Sequence, residues 1–179
     1  MWLHLHHLDK MAKDTKTFPQ WNDGVKAALR KSVEDYVDHA FWQNGKLSSF
    51  LTDTKAYVTD ETAWIFGPEK IGSKRGLVDL GSNRSGILTQ AGLLSALAKA
   101  QFGSPVHRGM FVIESLLCSG FGAPPPNVPA VPDPAPGDPP KTTRQRQEES
   151  HSAPACAGCH ERIDGIGFAL ENFDAVGQY

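Results

Sequence analysis

Cys156-Ala157-Gly158-Cys159-His160 sets two thiols three positions apart, with an imidazole directly behind the second. A c-type haem needs these groups in this order: two thiols add across the two vinyl groups on one edge of the porphyrin, and a neighbouring imidazole binds the iron. On that reading Cys156 and Cys159 are the thioether attachment points and His160 is the proximal iron ligand. The other ring nitrogen of such a histidine should donate to a backbone carbonyl, which fixes tautomer and ring orientation. The stretch Asp164-Gly165-Ile166-Gly167 reads as a tight turn that can offer one. Phe168, Leu170 and Phe173 then supply apolar surface over a macrocycle, and a low-dielectric wall disfavours the extra charge on oxidised iron.

Other chemistries use the same residue types. A thioredoxin-like pair follows a strand in a βαβ setting, and no strand pattern precedes Cys156. A structural zinc site needs four ligands, for which Cys156, Cys159 and His160 with His151 are candidates, although adjacent Cys159 and His160 fit one tetrahedron awkwardly. Two unlinked thiols beside a surface histidine is the bland alternative.

A second axial ligand separates electron-transfer haems from open, ligand-binding ones. Met1, Met11 and Met110 all lie upstream of the cluster, so an axial methionine would have to fold back onto it. Met110 and His107 share a helix face, and His151 stands nine residues before His160, within reach by chain length. These three are the candidate sixth ligands; each also has an ordinary structural role, packing for Met110, solvation for His107 and a surface or capping place for His151. His4, His6 and His7 form a further histidine tract at a chain terminus, where a site is hard to hold. Cys118 reads as a small buried hydrophobe within a helix, and Trp2, Trp21, Trp42 and Trp64 as core or edge packing. No Ser-His-Asp arrangement, P-loop or glycine-rich dinucleotide signature appears, so hydrolase and NTPase chemistry have no support.

The elements that must position the cluster are mostly helical. Val25, Ala28, Leu29, Val33, Tyr36, Val37, Ala40 and Phe41 recur at three- and four-residue steps and predict a helix over 23–41, with Asn22 as its N-cap and Asn44-Gly45 as its stop. Shorter helical turns are expected over 48–51 and from Thr59, the latter ended by Gly67-Pro68. Residues 67–86 carry five glycines and read as a loop, with only Leu77-Val78-Asp79-Leu80 hinting at extension. Thr89 is the expected cap of a helix over 90–101, and Ser104-Pro105 opens another. Residues 123–140 hold nine prolines, which excludes helix and central strand and predicts a semi-rigid connector. The polar stretch 142–150 predicts a solvated helix leading into the cysteines. The fold class is therefore mainly α: a helical core, a Pro-rich connector and a C-terminal c-type haem-attachment segment.

The 179 residues suffice for one domain or two small ones, and the predicted division is a helical region over 1–83 and a haem-binding module over 84–179, the latter including the 123–140 linker. With 40% hydrophobic and 21% charged residues and a formal net charge of −2, the composition is that of an ordinary globular protein. It lacks the basic excess of a general nucleic-acid binder. No apolar run is long enough to span a bilayer. The opening residues lack the pattern of a secretory signal, which on its own would leave the chain in the cytosol.

Residues 156–179, CAGCHERIDGIGFALENFDAVGQY, resemble the haem-binding C-terminal part of planctomycete-type cytochrome-c-like multi-domain proteins. Gly86-Ile87-Leu88-Thr89-Gln90, Ser104-Pro105-Val106-His107-Arg108-Gly109 and Pro124-Pro125-Pro126-Asn127-Val128-Pro129 resemble the earlier part of the same module, domain of unknown function 1588. Residues 18–67 are similar to the end of the neighbouring domain, number 1592. Gly165 departs from the pattern, which has proline after the aspartate. The resemblance implies haem c covalently attached through Cys156 and Cys159, iron bound by His160, and export to the periplasm or cell envelope, where the cytochrome c maturation machinery acts. The implied function is single-electron transfer between donor and acceptor proteins, an electron carrier rather than a self-contained enzyme. The alternatives are a haem-dependent oxidoreductase or relay subunit, and an envelope binding or scaffold protein with an accessory haem or a structural zinc site.

Overall fold

The computed structural model describes residues 2–43, 46–67, 75–122, 126, 139 and 141–179. The chain is mainly helical with one small sheet, and it separates into two compact units, Met1–Gly103 with Asn172–Tyr179, and Ser104–Glu171. None of the described helices is long and apolar enough to cross a membrane.

The first unit starts with a single turn, α1 (His7–Lys10), and then its main helix, α2 (Asp23–Asp38). The Asn22 side chain accepts from the Val25 amide at 3.1 Å and starts α2 as expected. Val25, Leu29, Val33 and Tyr36 form its buried stripe, and the helical path runs on through a wide π-type turn, His39–Gln43. The expected stop at Asn44-Gly45 lies outside the described residues. In α3 (Leu47–Thr52) Phe50 is buried, and the Tyr36 hydroxyl donates to the Ser49 carbonyl at 2.9 Å.

β1 (Lys55–Val58) pairs antiparallel with β2 (Gly76–Asp79), Lys55 opposite Asp79 and Val58 opposite Gly76. The extended hint at Leu77 is therefore a strand inside the expected loop, while 68–74 lie outside the described residues. Its partner β1 escapes sequence reading because Lys55 and Ala56 are weak strand formers and four residues are too few to show alternation. Between the strands, α4 (Ala63–Phe66) ends at Gly67, whose φ of +100° only glycine adopts at ease.

The helix expected over 90–101 is shorter than its pattern: α5 spans Ala91–Ala96. The buried Lys13 ammonium takes the carbonyls of Ser95 at 3.1 Å and Lys99 at 2.9 Å, supplying the end of the helix with a competing donor. Thr89 does not cap α5; its hydroxyl instead accepts from the Ser85 amide at 2.7 Å, in the turn before the helix. Arg84 closes this unit. Its guanidinium donates to the carbonyls of Thr89 and Gly177, both at 2.7 Å, and lies between the rings of Phe66 at 4.8 Å and Phe173 at 5.0 Å. Burial lowers its pKa to about 10, and the Asp174 carboxylate only partly opposes this. Ala175 and Val176 join Phe18 and Ala98 in the same core, so the last eight residues are structural members of the first unit.

In the second unit, α6 (Pro105–Phe111) starts as read: Ser104 Oγ accepts from the His107 amide at 3.4 Å and Pro105 takes the first position. A π-type turn, Val112–Leu116, follows. Cys118 contradicts the buried helical reading: it stands beyond the helix, exposed, with φ of +50°. Cys118 is the left-handed residue at which the helix closes, and the Ser119 amide reaches back across it to the Ile113 carbonyl at 3.0 Å. The Pro-rich connector lies outside the described residues except for Pro126 and Pro139. The polar helix is present as α7 (Thr143–His151), opened by a reciprocal capping box in which the Thr142 hydroxyl and the Gln145 side chain each accept the other's amide.

α8 (Pro154–Phe168) packs against α6 backbone to backbone. A Cβ on Gly109 would overlap the Ile163 carbonyl oxygen, and one on Gly167 would overlap the Pro105 carbonyl. Between them the wholly buried Arg108 donates to the Leu170 carbonyl at 2.7 Å. Beside it, burial raises the pKa of Glu171, outweighing the charges of Arg108 and Arg146, which pull it down.

Two outcomes are expected. Gly109→Ala and Gly167→Ala each destabilise the protein by about 1–3 kcal/mol in denaturant titrations. By contrast Gly158→Ala and Gly165→Ala, whose added Cβ meets nothing within 4 Å, gain about 0.5–1 kcal/mol of helix propensity. Separately, because Glu171 holds its proton more tightly folded than unfolded, the unfolded state ionises first as pH rises above the ordinary value of 4.5. Stability therefore falls from there until Glu171 ionises in the folded state, and Glu171→Gln flattens that fall in stability measured against pH.

Candidate functional site

Cys156, Cys159, His160 and Asp164 all lie on α8. Steps of four residues put Cys156, His160 and Asp164 along one face of that helix, and Cys159, next to His160, lies about 100° around it. The expectation of a turn over Asp164–Gly167 is not met: α8 runs unbroken to Phe168. Gly165 carries an N–H and can continue the i to i−4 ladder, which a proline at that place could not. Within a continuous helix the carbonyls near His160 are already engaged by amides one turn on, so none is left for the imidazole.

The acceptor is instead a side chain. His160 Nδ1 is 3.2 Å from Asp164 Oδ1, and His151 Nδ1, arriving from the end of α7, is 2.5 Å from Asp164 Oδ2. The two imidazoles stack with centroids 3.5 Å apart and planes inclined by 24°. Asp164 is only 7% exposed, so its charge depends on these two donors in place of water. An ionised carboxylate only accepts, so each Nδ1 must carry its proton. In the neutral rings that leaves both Nε2 atoms with a lone pair. One ligand atom from each of His151, His160 and Asp164 can be chosen so that all lie within 4.8 Å of one another, a spacing at which they could hold a metal ion.

Cys156 is a half-buried free thiol and Cys159 an exposed one. Gly158, between them, faces open space. Two thiols and an imidazole in this order are the donor types that covalent haem takes, so the chemistry of the residues present fits that group.

The other candidates lie as follows. His151 belongs to the Asp164 cluster. His107 is exposed on α6 and is not part of the close group, and Met110 is half-buried on the same helix. Phe168 is half-buried beneath the Arg144 guanidinium at 4.9 Å, and Leu170 supplies the carbonyl that Arg108 uses. Phe173 is built into the core of the first unit beneath Arg84. The rings of His4, His6 and His7 lie against one another, with 4.2 Å between the centroids of His6 and His7. Trp21 and Trp64 pack on the first unit's core, whereas Trp42 is 83% exposed. Asp164 is the residue that reading the sequence missed. Its spacing of four from His160 becomes a signal once the segment is known to be helix.

The model of the family described as Protein of unknown function (DUF1588) matches residues 84–179, and that of Protein of unknown function (DUF1592) matches residues 1–67. These are the planctomycete-type cytochrome-c-like domains that the sequence resembles. No curated protein and no solved structure matches the chain.

The exposures set an order of thiol reactivity. In haem-free native protein, an aromatic disulfide reagent followed by absorbance should modify Cys118 and Cys159 first and Cys156 more slowly. Single Cys→Ser variants assign the phases.

Proposed function

The chain belongs to the family described as Protein of unknown function (DUF1588), and we propose that it is a c-type haem-binding protein that passes single electrons in the bacterial cell envelope. The observation that supports this most is the pairing of Cys156 and Cys159 with a histidine whose Nδ1 is held by Asp164 and whose Nε2 is left to bind a metal. Each thiol would add across one vinyl group, sulfur bonding to the inner carbon while the thiol proton goes to the terminal carbon, with no net electron change. Bound haem supplies one-electron exchange between ferrous and ferric iron. The protein's part is to hold the macrocycle at two points, to orient the His160 ring and to set its basicity. Bacterial thioether formation occurs outside the cytoplasm, which makes the envelope the proposed location, and the partners are the maturation machinery and redox proteins that donate and accept the electron.

A second reading, a structural zinc site, draws on the closeness of His151, His160 and Asp164. One experiment decides between them: the protein is co-expressed with export and maturation machinery, run on a denaturing gel and stained for haem. Wild type should stain, Cys156→Ala and Cys159→Ala should each stain more weakly, and the double variant should not stain. A colourless exported wild type that carries zinc by metal analysis favours the second reading. In the coloured protein, carbon monoxide that leaves the reduced spectrum unchanged supports electron transfer over ligand-binding catalysis.

A further inference from the structure

We propose that Asp164 is a positioning residue for the His160–iron bond, one that lowers the reduction potential of the haem by drawing on the Nδ1 proton of its ligand. The inference rests on the haem reading above.

Three observations carry it. The carboxylate is buried, with 7% exposure, and its Oδ1 stands 3.2 Å from His160 Nδ1. The backbone offers no substitute, because α8 continues through Asp164 to Phe168 and its carbonyls serve the helix. The second oxygen is 2.5 Å from Nδ1 of His151, whose ring is stacked on that of His160, so both carboxylate oxygens are engaged by imidazoles. A carboxylate pulls on the proton more strongly than a neutral carbonyl does, so the His160 ring becomes a more basic donor. A more basic axial nitrogen stabilises the more highly charged ferric iron over the ferrous, and the potential falls.

The same geometry assigns His151. Its ring lies flat against His160, 3.5 Å away, and turns its Nδ1 to the same carboxylate. It is a second partner of Asp164 beside His160, so on the haem reading it would steady the carboxylate and not supply a second iron ligand.

The test uses exported, matured protein. Asp164→Asn keeps size and removes charge. It should retain covalent haem on the gel while its midpoint potential rises enough to change the reduced-to-oxidised ratio about tenfold at fixed potential, about 59 mV for one electron. The hyperfine-shifted Nδ1 proton of His160, seen by NMR in histidine-labelled oxidised protein, should move and exchange faster with solvent. Asp164→Glu, which restores a carboxylate, should return the potential toward wild type. His151→Gln should leave the coordination state, read from the absorption spectrum, unchanged. A stained Asp164→Asn protein with unaltered potential and Nδ1 signal overturns the proposal, as does a switch from six- to five-coordinate iron in His151→Gln. Should Asp164→Asn fail to mature, the wild-type Nδ1 proton decides: fast exchange with solvent overturns the proposal, and protection supports it. A wild type without haem is a different failure, that of the underlying reading.

Discussion

The backbone contact between α6 and α8 is the constraint on which the second unit depends. At Gly109 and at Gly167 one helix meets the other's main chain where any side chain would intrude, so the axes can approach only along a line that these two glycines define. That approach buries Arg108 completely, and the guanidinium is tolerable there because it reaches the Leu170 carbonyl just past the end of α8. The helix bearing the cysteines is thus held by its far half, near Ile163 and Gly167. At its start Pro154 and Gly158 are exposed and Cys156 is half-buried. On the proposed haem reading, anchoring at this end would leave the cysteine-bearing turns to meet a large planar group.

Around His160 the arrangement follows from electrostatics more than from packing. Asp164 is too buried to be solvated by water and too short to reach far, so its carboxylate oxygens meet the two imidazoles within reach. The result is a fixed tautomer for both rings. That binds the cluster to the local secondary structure: the carboxylate faces His160 only because residues 160 and 164 are one helical turn apart.

Much of this was legible in the sequence. The stripe of α2, its Asn22 cap, the Ser104-Pro105 start of α6 and the polar α7 all obey local rules that need no tertiary knowledge. What escaped was set by contacts distant along the chain. Lys13 takes carbonyls more than eighty residues away, and α5 stops where its apolar pattern continues. Cys118 leaves its helix because the chain turns left-handed there, closed by the Ser119 amide returning to Ile113. The glycines at 165 and 167 suggested a turn, yet Gly167 is present because the chain approaches closely there, and Gly165 merely permits the helix to continue. The chemistry-bearing string was visible at once; the acid that partners its histidine was visible only after the segment's conformation was known.

The first unit is discontinuous in sequence, since Arg84 ties Gly177 into it across 93 positions and Ala175 and Val176 complete its core. During vectorial emergence from a ribosome or a translocation pore, that body cannot finish folding until residues 172–179 appear. By then the cysteines and His160 are already outside, carried on the intervening loop of chain. The order of the polypeptide therefore delivers Cys156 and Cys159 before the last structural piece is locked.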